Sequence, residues 1–244
     1  MSTTEYKLDP DLNVDALAAE FAAQDRIQIQ KILPKEVAVR LHSILAHETP
    51  WDYMCFDGEK GQCTPFSKIN DMSPQDRQAL TRTHLEAAKT GFSFSYNGFN
   101  FRSEFREGNH PEQALRPFDS FLNSDPFLTF ARKLINDPEV TGVEGNASWY
   151  GPGHYLNLHD DRMERQDRRA AFVFNLSPNW RVDWGGELKM FSNRRGSKLV
   201  DAFFPAFNVL NVFKVPQYHA VNPVAAFAGA PRLSISGWFH GPTS

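Results

Sequence analysis

Apolar residues follow a helical spacing in the first part of the chain. In Val14–Gln24 they recur on one side of a 3.6-residue period, which predicts an amphipathic helix. Residues 26–33 alternate between polar and apolar, as expected for a short strand, and Pro34 then opens a second helix over 35–48. Ser73 is an N-cap followed by a proline, and it begins a third predicted helix that ends near Lys89.

From Gly91 onward the pattern changes to an alternation of period two. Residues 92–96 and 99–101 alternate in this way, and a last helix is predicted over 125–136. Eight further strand candidates are separated by turns rich in Gly, Pro and Asn: 143–150, 154–158, 170–176, 187–191, 198–204, 208–213, 218–221 and 233–239. Short strands at this spacing predict a sandwich or a jelly-roll barrel, so the chain is mainly β with helical additions.

Residues 50–71 show no regular pattern and contain two glycines and two prolines. A loop of this length within a compact domain often covers a functional site, so we treat it as a candidate lid. No repeat or linker divides the chain. We therefore predict one domain over 1–244, with 1–90 as helical support and lid loop and 91–240 as the jelly-roll core.

Composition narrows the class of protein. The 21 Phe concentrate in the predicted strands and favour a β-rich core. A net charge of −3 and a pI near 6.2 argue against nucleic acid or an anionic membrane as the partner. The first residues do not resemble a secretory signal, and no apolar stretch is long enough to span a bilayer, so we expect a cytoplasmic protein. Cys55 and Cys63 are interpreted as free thiols.

A candidate metal centre follows the strand predicted over 154–158. Because side chains alternate along a strand, His159 and Asp161 are expected on one face and Asp160 on the other. His219, on a distant predicted strand, is the best third ligand. Two histidines and one carboxylate leave coordination positions open, an arrangement typical of non-haem Fe(II) oxygenases.

The last predicted strand carries a candidate anion site. A 2-oxo acid that chelates iron through its keto-acid end still has a distal carboxylate to neutralise. Arg232 begins this strand and Ser234 shares its face. A guanidinium can hold that carboxylate through two charge-assisted hydrogen bonds, and the hydroxyl of Ser234 can add a third.

These segments resemble the 2-oxoglutarate and Fe(II)-dependent dioxygenases of the prolyl-4-hydroxylase-like group. The resemblance covers roughly residues 91–240 and is carried by four motifs: WYGPGHYLNLHDD (149–161), WGGEL (184–188), NVLNVF (208–213) and YHAV (218–221). The final motif, RLSISGWFH (232–240), looks closest to the ribosomal-protein prolyl hydroxylases. Those enzymes carry a second, degenerate barrel, which we do not expect within 244 residues.

The resemblance implies a double-stranded β-helix and hydroxylation of a C–H bond with release of succinate and CO2. It implies Fe(II) as the metal cofactor and 2-oxoglutarate and O2 as co-substrates, with ascorbate as a candidate supporting reductant. It also assigns Tyr150 to the 2-oxoglutarate site. Family halogenases replace the carboxylate ligand with a small residue, so Asp161 favours hydroxylation over halogenation.

Three functional hypotheses stay open at this point. The substrate is a prolyl residue in a protein or peptide, or it is a free amino acid or small metabolite. A non-catalytic, metal-binding cupin-like module is the alternative from another class. All four positions His159, Asp161, His219 and Arg232 are present, which argues against that module.

Other residues with chemical potential receive a structural interpretation. His154 and His240 are expected to be structural, and His42, His47, His84 and His110 lack metal-ligand spacing. The arginines of 162–169 are interpreted as a solvated mixture with Glu164 and Asp167. Trp180, Trp184 and Trp238 are expected to pack within the barrel.

Overall fold

The structure is a computed structural model that describes residues 5–106, 113–163 and 166–242. Its helices are α1 (Val14–Gln24), α2 (Lys35–His47), α3 (Phe66–Asp71), α4 (Pro74–Thr90), α5 (Arg116–Leu122) and α6 (Asp125–Ile135). Its strands are β1 (Arg26–Gln30), β2 (Asp52–Phe56), β3 (Gly61–Pro65), β4 (Phe94–Asn100), β5 (Gly142–Tyr150), β6 (Tyr155–His159), β7 (Arg168–Asn175), β8 (Leu188–Phe191), β9 (Leu199–Phe203), β10 (Val209–Lys214), β11 (Tyr218–Val221) and β12 (Arg232–His240). A π-helical turn (Arg102–Arg106) and a 3₁₀ turn (Val182–Trp184) complete the regular structure of these residues.

The strands form one antiparallel sheet in the order β1-β10-β7-β12-β5-β4-β6-β11-β8-β9, with β2 and β3 added beside β4. This sheet curls into a nearly closed, jelly-roll-like barrel, which confirms the predicted fold class. β1 and β9 are the two ends of the strand path. Side chains join these ends, because Arg26 Nε lies 2.9 Å from Asp201 Oδ2 and Gln28 Nε2 donates to the carbonyl of Phe204 at 3.0 Å.

The alternation of β12 separates two apolar regions. Leu233, Ile235 and Phe239 face outward and pack with the helices in the larger cluster. Arg232 and Ser234 face inward, as do Ser236 and Trp238, and line the barrel cavity. The period-two pattern of the sequence therefore places polar groups inside the barrel and apolar groups beneath the helices.

Helix α6 shows why the helices cover one face of the sheet. Its N-cap is Ser124, and Pro126 occupies the first turn, where a missing N–H costs nothing. Asn136 ends it in the left-handed conformation, at φ 51°. Its buried residues, all from one side of the helix, are Phe127, Leu128, Phe130, Ala131 and Leu134. Burying this face against the strands contributes most of the stability that an isolated helix of this length lacks.

The prediction that residues 50–71 are irregular is wrong. They form the β2–β3 hairpin and α3, and the hairpin pairs with β4. Asp57 organises the turn, because its Oδ1 accepts hydrogen bonds from the amides of Glu59 and Lys60, both at 2.9 Å. Gly58 follows at φ 103°, so the Asp-Gly pair was the turn signal in the sequence.

The other predicted elements are confirmed, with boundary shifts of a few residues. The eight late strand candidates correspond to β5 through β12, and Ser73 caps α4 by accepting a hydrogen bond from the amide of Asp76 at 3.1 Å. The two early strand fragments, 92–96 and 99–101, form one continuous strand, β4. Helix α5 was not predicted from the sequence. Among the described helices, none is both long and apolar enough to cross a bilayer.

Gly237 allows β12 to lie against β5 and β7. A Cβ atom at this position would lie 2.0 Å from the carbonyl oxygen of Glu144 and 2.8 Å from Cζ of Phe172. Because the carbonyl oxygen of Glu144 is a backbone atom, it could make room for the added Cβ only if strand β5 moved. The residue after Gly237 lines the barrel cavity, so this close approach also fixes part of the cavity wall.

We expect Gly237→Ala to lower the free energy of unfolding by about 2 kcal/mol or more, because overpacking strains the strand. Gly91→Ala is the matched control, since a Cβ at Gly91 meets no atom within 4 Å. Urea denaturation of both variants would test this expectation. Equal stability of the two variants would show that the sheet relaxes around the added methyl group.

Candidate metal and 2-oxo acid site

Three metal-ligating side chains converge inside the barrel. His159 ends β6, and His219 lies directly across from it on β11. Their ring centroids are 4.1 Å apart. Nε2 of His159 lies 3.3 Å from Oδ1 of Asp161, and Nε2 of His219 lies 3.3 Å from Oδ2. One ligand atom from each residue lies within 4.8 Å of the others, a spacing that one metal ion could bridge.

A β-bulge and a left-handed residue create this convergence. The β6–β11 register pairs His159 with His219 and Leu156 with Val221, so two residues of β6 lie opposite one residue of β11. The bulge turns both Leu156 and His159 toward the cavity. Asp161 lies beyond the end of β6 at φ 61°. Strand alternation is therefore the wrong explanation for the shared face of His159 and Asp161, although the two side chains do meet.

Backbone carbonyls orient both imidazoles. Nδ1 of His159 lies 2.9 Å from the carbonyl oxygen of Asn157, and Nδ1 of His219 lies 2.7 Å from that of Gln217. Since a carbonyl only accepts, each Nδ1 carries a proton and donates it. Nε2 of each ring then faces Asp161. This is how metal-ligating histidines are held in general.

The pKa values of the three side chains are shifted by burial and by their contacts with one another. Burial lowers the pKa of His219 to about 4, and the neighbouring His159 adds to this effect. Burial opposes the charge of Asp161, but the two imidazoles outweigh it and hold the carboxyl pKa well below its usual range. Burial also disfavours charge on His159, yet the hydrogen bond and charge of Asp161 raise its pKa. A buried carboxylate between two imidazoles is a donor set that fits Fe(II).

The other end of the cavity holds a buried cation. Arg232 is 2% exposed, and burial lowers its pKa, although a guanidinium stays charged. Its Nη1 donates to Ser234 Oγ and its Nη2 to Asn175 Oδ1, both at 3.1 Å, while Nε has no partner. No ion pair involving Arg232 occurs among the described residues. An orphaned N–H and uncharged partners indicate that this cation is arranged for an anion, as the distal carboxylate of 2-oxoglutarate requires.

Tyr150 and Ser148 complete the Arg232 end of the site. The guanidinium carbon of Arg232 lies 5.5 Å from the ring centroid of Tyr150. Tyr96 stacks on Tyr150 with a centroid distance of 5.0 Å and an interplanar angle of 16°. Ser148 and Ser234 share a hydrogen bond of 2.7 Å across β5 and β12. The three residues predicted for the co-substrate, Arg232, Ser234 and Tyr150, therefore lie together.

One cavity of about 110 Å³ connects the two ends. His159, Asp161 and His219 line one part of it, and Arg232, Ser234 and Tyr150 line another. Tyr96, Trp238 and Asn146 also line it, and none of the three was predicted as a site residue. No lining residue comes from 50–71, so the structure provides no contact between the candidate lid and this cavity.

Arg168 and Trp238 lie beside the metal-ligating end. The guanidinium carbon of Arg168 lies 3.5 Å from a ring centroid of Trp238, and its Nη1 donates to the carbonyl oxygen of Asp161 at 3.3 Å. The cation–π contact positions the Arg168 guanidinium, and its hydrogen bond holds the backbone of the ligand residue Asp161. Trp238 thus contributes to the site as well as to packing, whereas Trp180 and Trp184 pack on each other.

Two of the neighbouring arginines, Arg162 and Arg169, pair with acids, whereas Arg168 packs on Trp238 and is not the solvated side chain that the sequence predicted. Arg162 Nε donates to Asp160 Oδ2 at 2.9 Å, which turns Asp160 away from the metal-ligating cluster. Arg169 forms ion pairs with three acids, Asp137, Glu139 and Asp167. Arg165 and Glu164 belong to the same predicted cluster but lie outside the described residues.

The competing histidines lie outside the cluster. His154 accepts a hydrogen bond from the amide of Gly151 at 3.2 Å, and burial lowers its pKa to about 4. His240 Nε2 lies 3.5 Å from Glu144 Oε2, at the end of β12 opposite Arg232. His84 bonds the hydroxyl of Tyr155 at 3.1 Å. His110 was not assigned to the metal site, and it lies outside the described residues.

Comparison with known proteins agrees with this geometry. The family model described as the 2OG-Fe(II) oxygenase superfamily matches residues 145–240. These residues belong to the 2OG-Fe(II) oxygenase superfamily. This family implies Fe(II) as the metal cofactor and 2-oxoglutarate and O2 as co-substrates. The oxygenase region contains all six predicted site residues.

Named relatives are similar to most of this chain. Prolyl 3-hydroxylase OGFOD1 of Mus musculus is 30% identical over 202 residues, covering 74% of this chain and 36% of that protein. Its Xenopus laevis counterpart is 36% identical over 186 residues, covering 74% and 34%. A prolyl-4-hydroxylase structure from Pseudomonas putida aligns with a TM-score of 0.59 at 21% identity, covering 94% of this chain and 99% of that one. The chain spans about a third of the length of the OGFOD1 relatives.

We expect one Fe(II) ion to bind per chain under anaerobic conditions, as measured by titration calorimetry. His219→Ala removes a ligand, and we expect it to weaken binding by about 100-fold or more, since even outer contacts to metal ligands contribute tenfold to 100-fold. His240→Ala is the control and keeps the affinity of the unmodified chain. Equal losses in the two variants would show that the cluster is not the metal site.

Proposed function

We propose that this chain is an Fe(II)- and 2-oxoglutarate-dependent dioxygenase that hydroxylates a prolyl residue of a protein or peptide, with release of succinate and CO2. The observation that carries the proposal is the presence of two complementary groups in one cavity. A cluster of two histidines and one carboxylate lies at one end. Arg232, which is buried and forms no ion pair with an acid among the described residues, lies at the other. A structural metal site would have no use for the second group.

The protein's part in the reaction is binding, orientation and exclusion of water. When bound, Fe(II) with 2-oxoglutarate and O2 supplies the oxidising chemistry that replaces a C–H bond by C–OH. His159, Asp161 and His219 would hold the metal through their imidazole and carboxylate groups. Arg232 and Ser234 hold the distal carboxylate of 2-oxoglutarate, and Tyr150 adds a hydrogen bond. Buried apolar walls such as Leu188 and Val221 keep water from the reacting groups.

Similarity supports the prolyl substrate. Both OGFOD1 relatives are named prolyl 3-hydroxylases. The carboxylate of Asp161 supports hydroxylation over halogenation, as the resemblance to the family implies. Since this chain covers about a third of those relatives, the substrate and the ring carbon that is hydroxylated are proposals here. The cytoplasmic location remains a prediction from the sequence.

We expect the anaerobically purified protein, given Fe(II), ascorbate, O2 and 2-oxoglutarate, to release succinate slowly even without a substrate. Asp161→Ala removes the anionic ligand and should abolish this turnover. Succinate measured by mass spectrometry would decide it. Release at the same rate from Asp161→Ala would show that the proposed metal centre is not responsible, and failure of the unmodified protein to bind both Fe(II) and 2-oxoglutarate would reject the oxygenase.

We expect Arg232→Ala to weaken 2-oxoglutarate binding by roughly 30-fold or more, since removing one partner of a buried charge pair costs about 2–5 kcal/mol. Arg232→Lys keeps the charge but cannot form the bidentate pair with a carboxylate. Its affinity for 2-oxoglutarate should therefore lie between those of Arg232→Ala and the unmodified protein. Arg181→Ala is the matched control, because Arg181 is exposed and pairs with Asp183 at the surface. Calorimetric titration of 2-oxoglutarate into each variant, loaded with Mn(II) in place of Fe(II), gives the comparison. Unchanged affinity in Arg232→Ala would remove Arg232 from the co-substrate site.

A further inference from the structure

The connection between β8 and β9 concentrates positive charge. Residues 188–200 contain four basic residues and no acidic one, although the whole chain carries a net charge of −3. We call the tip of this connection, Arg194, Arg195 and Lys198, the cationic turn. All three residues are exposed. Within the described ranges, no ion pair joins them to an acid.

Nearby acids are already committed to other arginines. Asp160 lies beside the metal-ligating cluster and pairs with Arg162. Asp201 is on β9 and pairs with Arg26 of β1 at 2.9 Å. Among the residues that the structure describes, the cationic turn therefore keeps its charge available for a partner.

Hydrogen bonds within the cationic turn hold its backbone in one conformation. Oδ1 of Asn193 accepts from the amide of Arg195 at 3.0 Å, and Nδ2 of Asn193 donates to Ser197 Oγ at 2.7 Å. The amide of Gly196 also donates to the carbonyl of Asn193 at 2.9 Å, and Gly196 has φ 63°. These contacts hold the backbone that presents the two arginines, which lowers the conformational entropy cost of binding a partner.

The cationic turn is adjacent to the metal-ligating strands. β8 ends at Phe191, which pairs with Tyr218, the residue before the ligand His219. A Cβ built on Gly196 would lie 3.5 Å from Cδ2 of Leu158, the residue before the ligand His159. A polypeptide whose target residue enters the cavity would pass this turn within a few residues.

Arg162 links the metal motif to the start of the turn. Its Nη2 lies 3.3 Å from the hydroxyl of Tyr218, and it follows the ligand Asp161 directly in the chain. Because Tyr218 pairs with Phe191 at the start of the turn, the metal motif and the turn lie along one edge of the sheet, although the charge of Arg162 itself is paired with Asp160.

Exposed apolar side chains adjoin the same turn. Leu199 is 50% exposed and Val200 is 40% exposed, at the start of β9. Large apolar side chains beside unpaired cations suit a partner that offers both carboxylates and apolar groups. Polypeptide has this combination, whereas a nucleic acid backbone offers phosphates without apolar side chains.

We propose that the cationic turn binds an acidic stretch of the polypeptide substrate, close in sequence to the residue that enters the cavity. This proposal rests on the proposed function, because it assigns the turn to substrates of that same site. Acidic side chains pair with Arg194 and Arg195, and an apolar neighbour contacts Leu199. The turn thereby steers the substrate and selects it by charge.

Three fluorescent probes test the assignment by anisotropy, on protein loaded with Mn(II) and 2-oxoglutarate without O2. The first is a synthetic peptide with a central proline flanked by Glu and Leu, the second replaces Glu with Lys, and the third is a single-stranded RNA of matched charge. We expect the acidic peptide to bind at least about tenfold more tightly than the basic one, and less tightly as salt is added. Tighter binding of the RNA would overturn the proposal in favour of a nucleic acid surface.

The decisive variant is Arg194→Glu/Arg195→Glu, with Lys31→Glu/Lys35→Glu as its matched control. Each pair reverses two exposed charges, but Lys31 follows β1 and Lys35 begins α2, far along the chain from the turn. We expect the first double variant to bind the acidic peptide about tenfold or more weakly than the unmodified protein does. The control double variant should keep the affinity of the unmodified protein. Equal weakening in both pairs, or no weakening in either, would contradict the proposal.

Succinate release in the same preparations separates this proposal from the function on which it rests. We expect both double variants to retain substrate-free turnover of 2-oxoglutarate, because neither changes the cavity. Charge-dependent peptide binding without succinate release in the unmodified protein would reject the oxygenase but retain the docking surface. Succinate release without charge-dependent binding would reject the docking surface alone.

Discussion

A buried guanidinium without an acid is the constraint on which this site depends. Removing Arg232 from water costs several kcal/mol, and its uncharged partners Ser234 and Asn175 return only part of that. The fold accepts this cost at the first residue of a central strand. An anion that enters the cavity completes the missing interactions. The buried arginine thus lowers the folding stability of the free protein and raises its affinity for an anion, as is characteristic of a binding site.

The two ends of the cavity come from different parts of the curled sheet. The metal-ligating histidines lie on β6 and β11, whereas Arg232 lies on β12, and β5 and β4 are the strands between them. Their spacing therefore depends on how far the sheet curls. Arg26 and Gln28 join its two ends through side chains rather than through a backbone ladder. Close packing at Gly237 fixes the opposite part of the barrel.

The sequence predicted the chemistry better than the geometry. His159, His219 and Arg232 could be selected because residue type, spacing and strand periodicity are all visible along the chain. The bulge that turns His159 inward depends on the register between β6 and β11, which one sequence does not display. For the same reason Tyr96 escaped notice, since only the pairing of β4 with its neighbours decides which side faces the cavity. The hairpin within 50–71 was missed although its Asp-Gly turn signal was present.

The left-handed backbone at Asp161 also bears on how such a site can change during evolution. Positive φ is accessible to Asp and is adopted most readily by Gly. Loss of the carboxylate by replacement with Gly would therefore leave the path of the chain unchanged and would relieve backbone strain. The other ligands, His159 and His219, take their orientation from Asn157 and Gln217, not from this residue. A single codon thus separates a three-ligand centre from a two-ligand centre on the same scaffold, without any need to redesign the barrel.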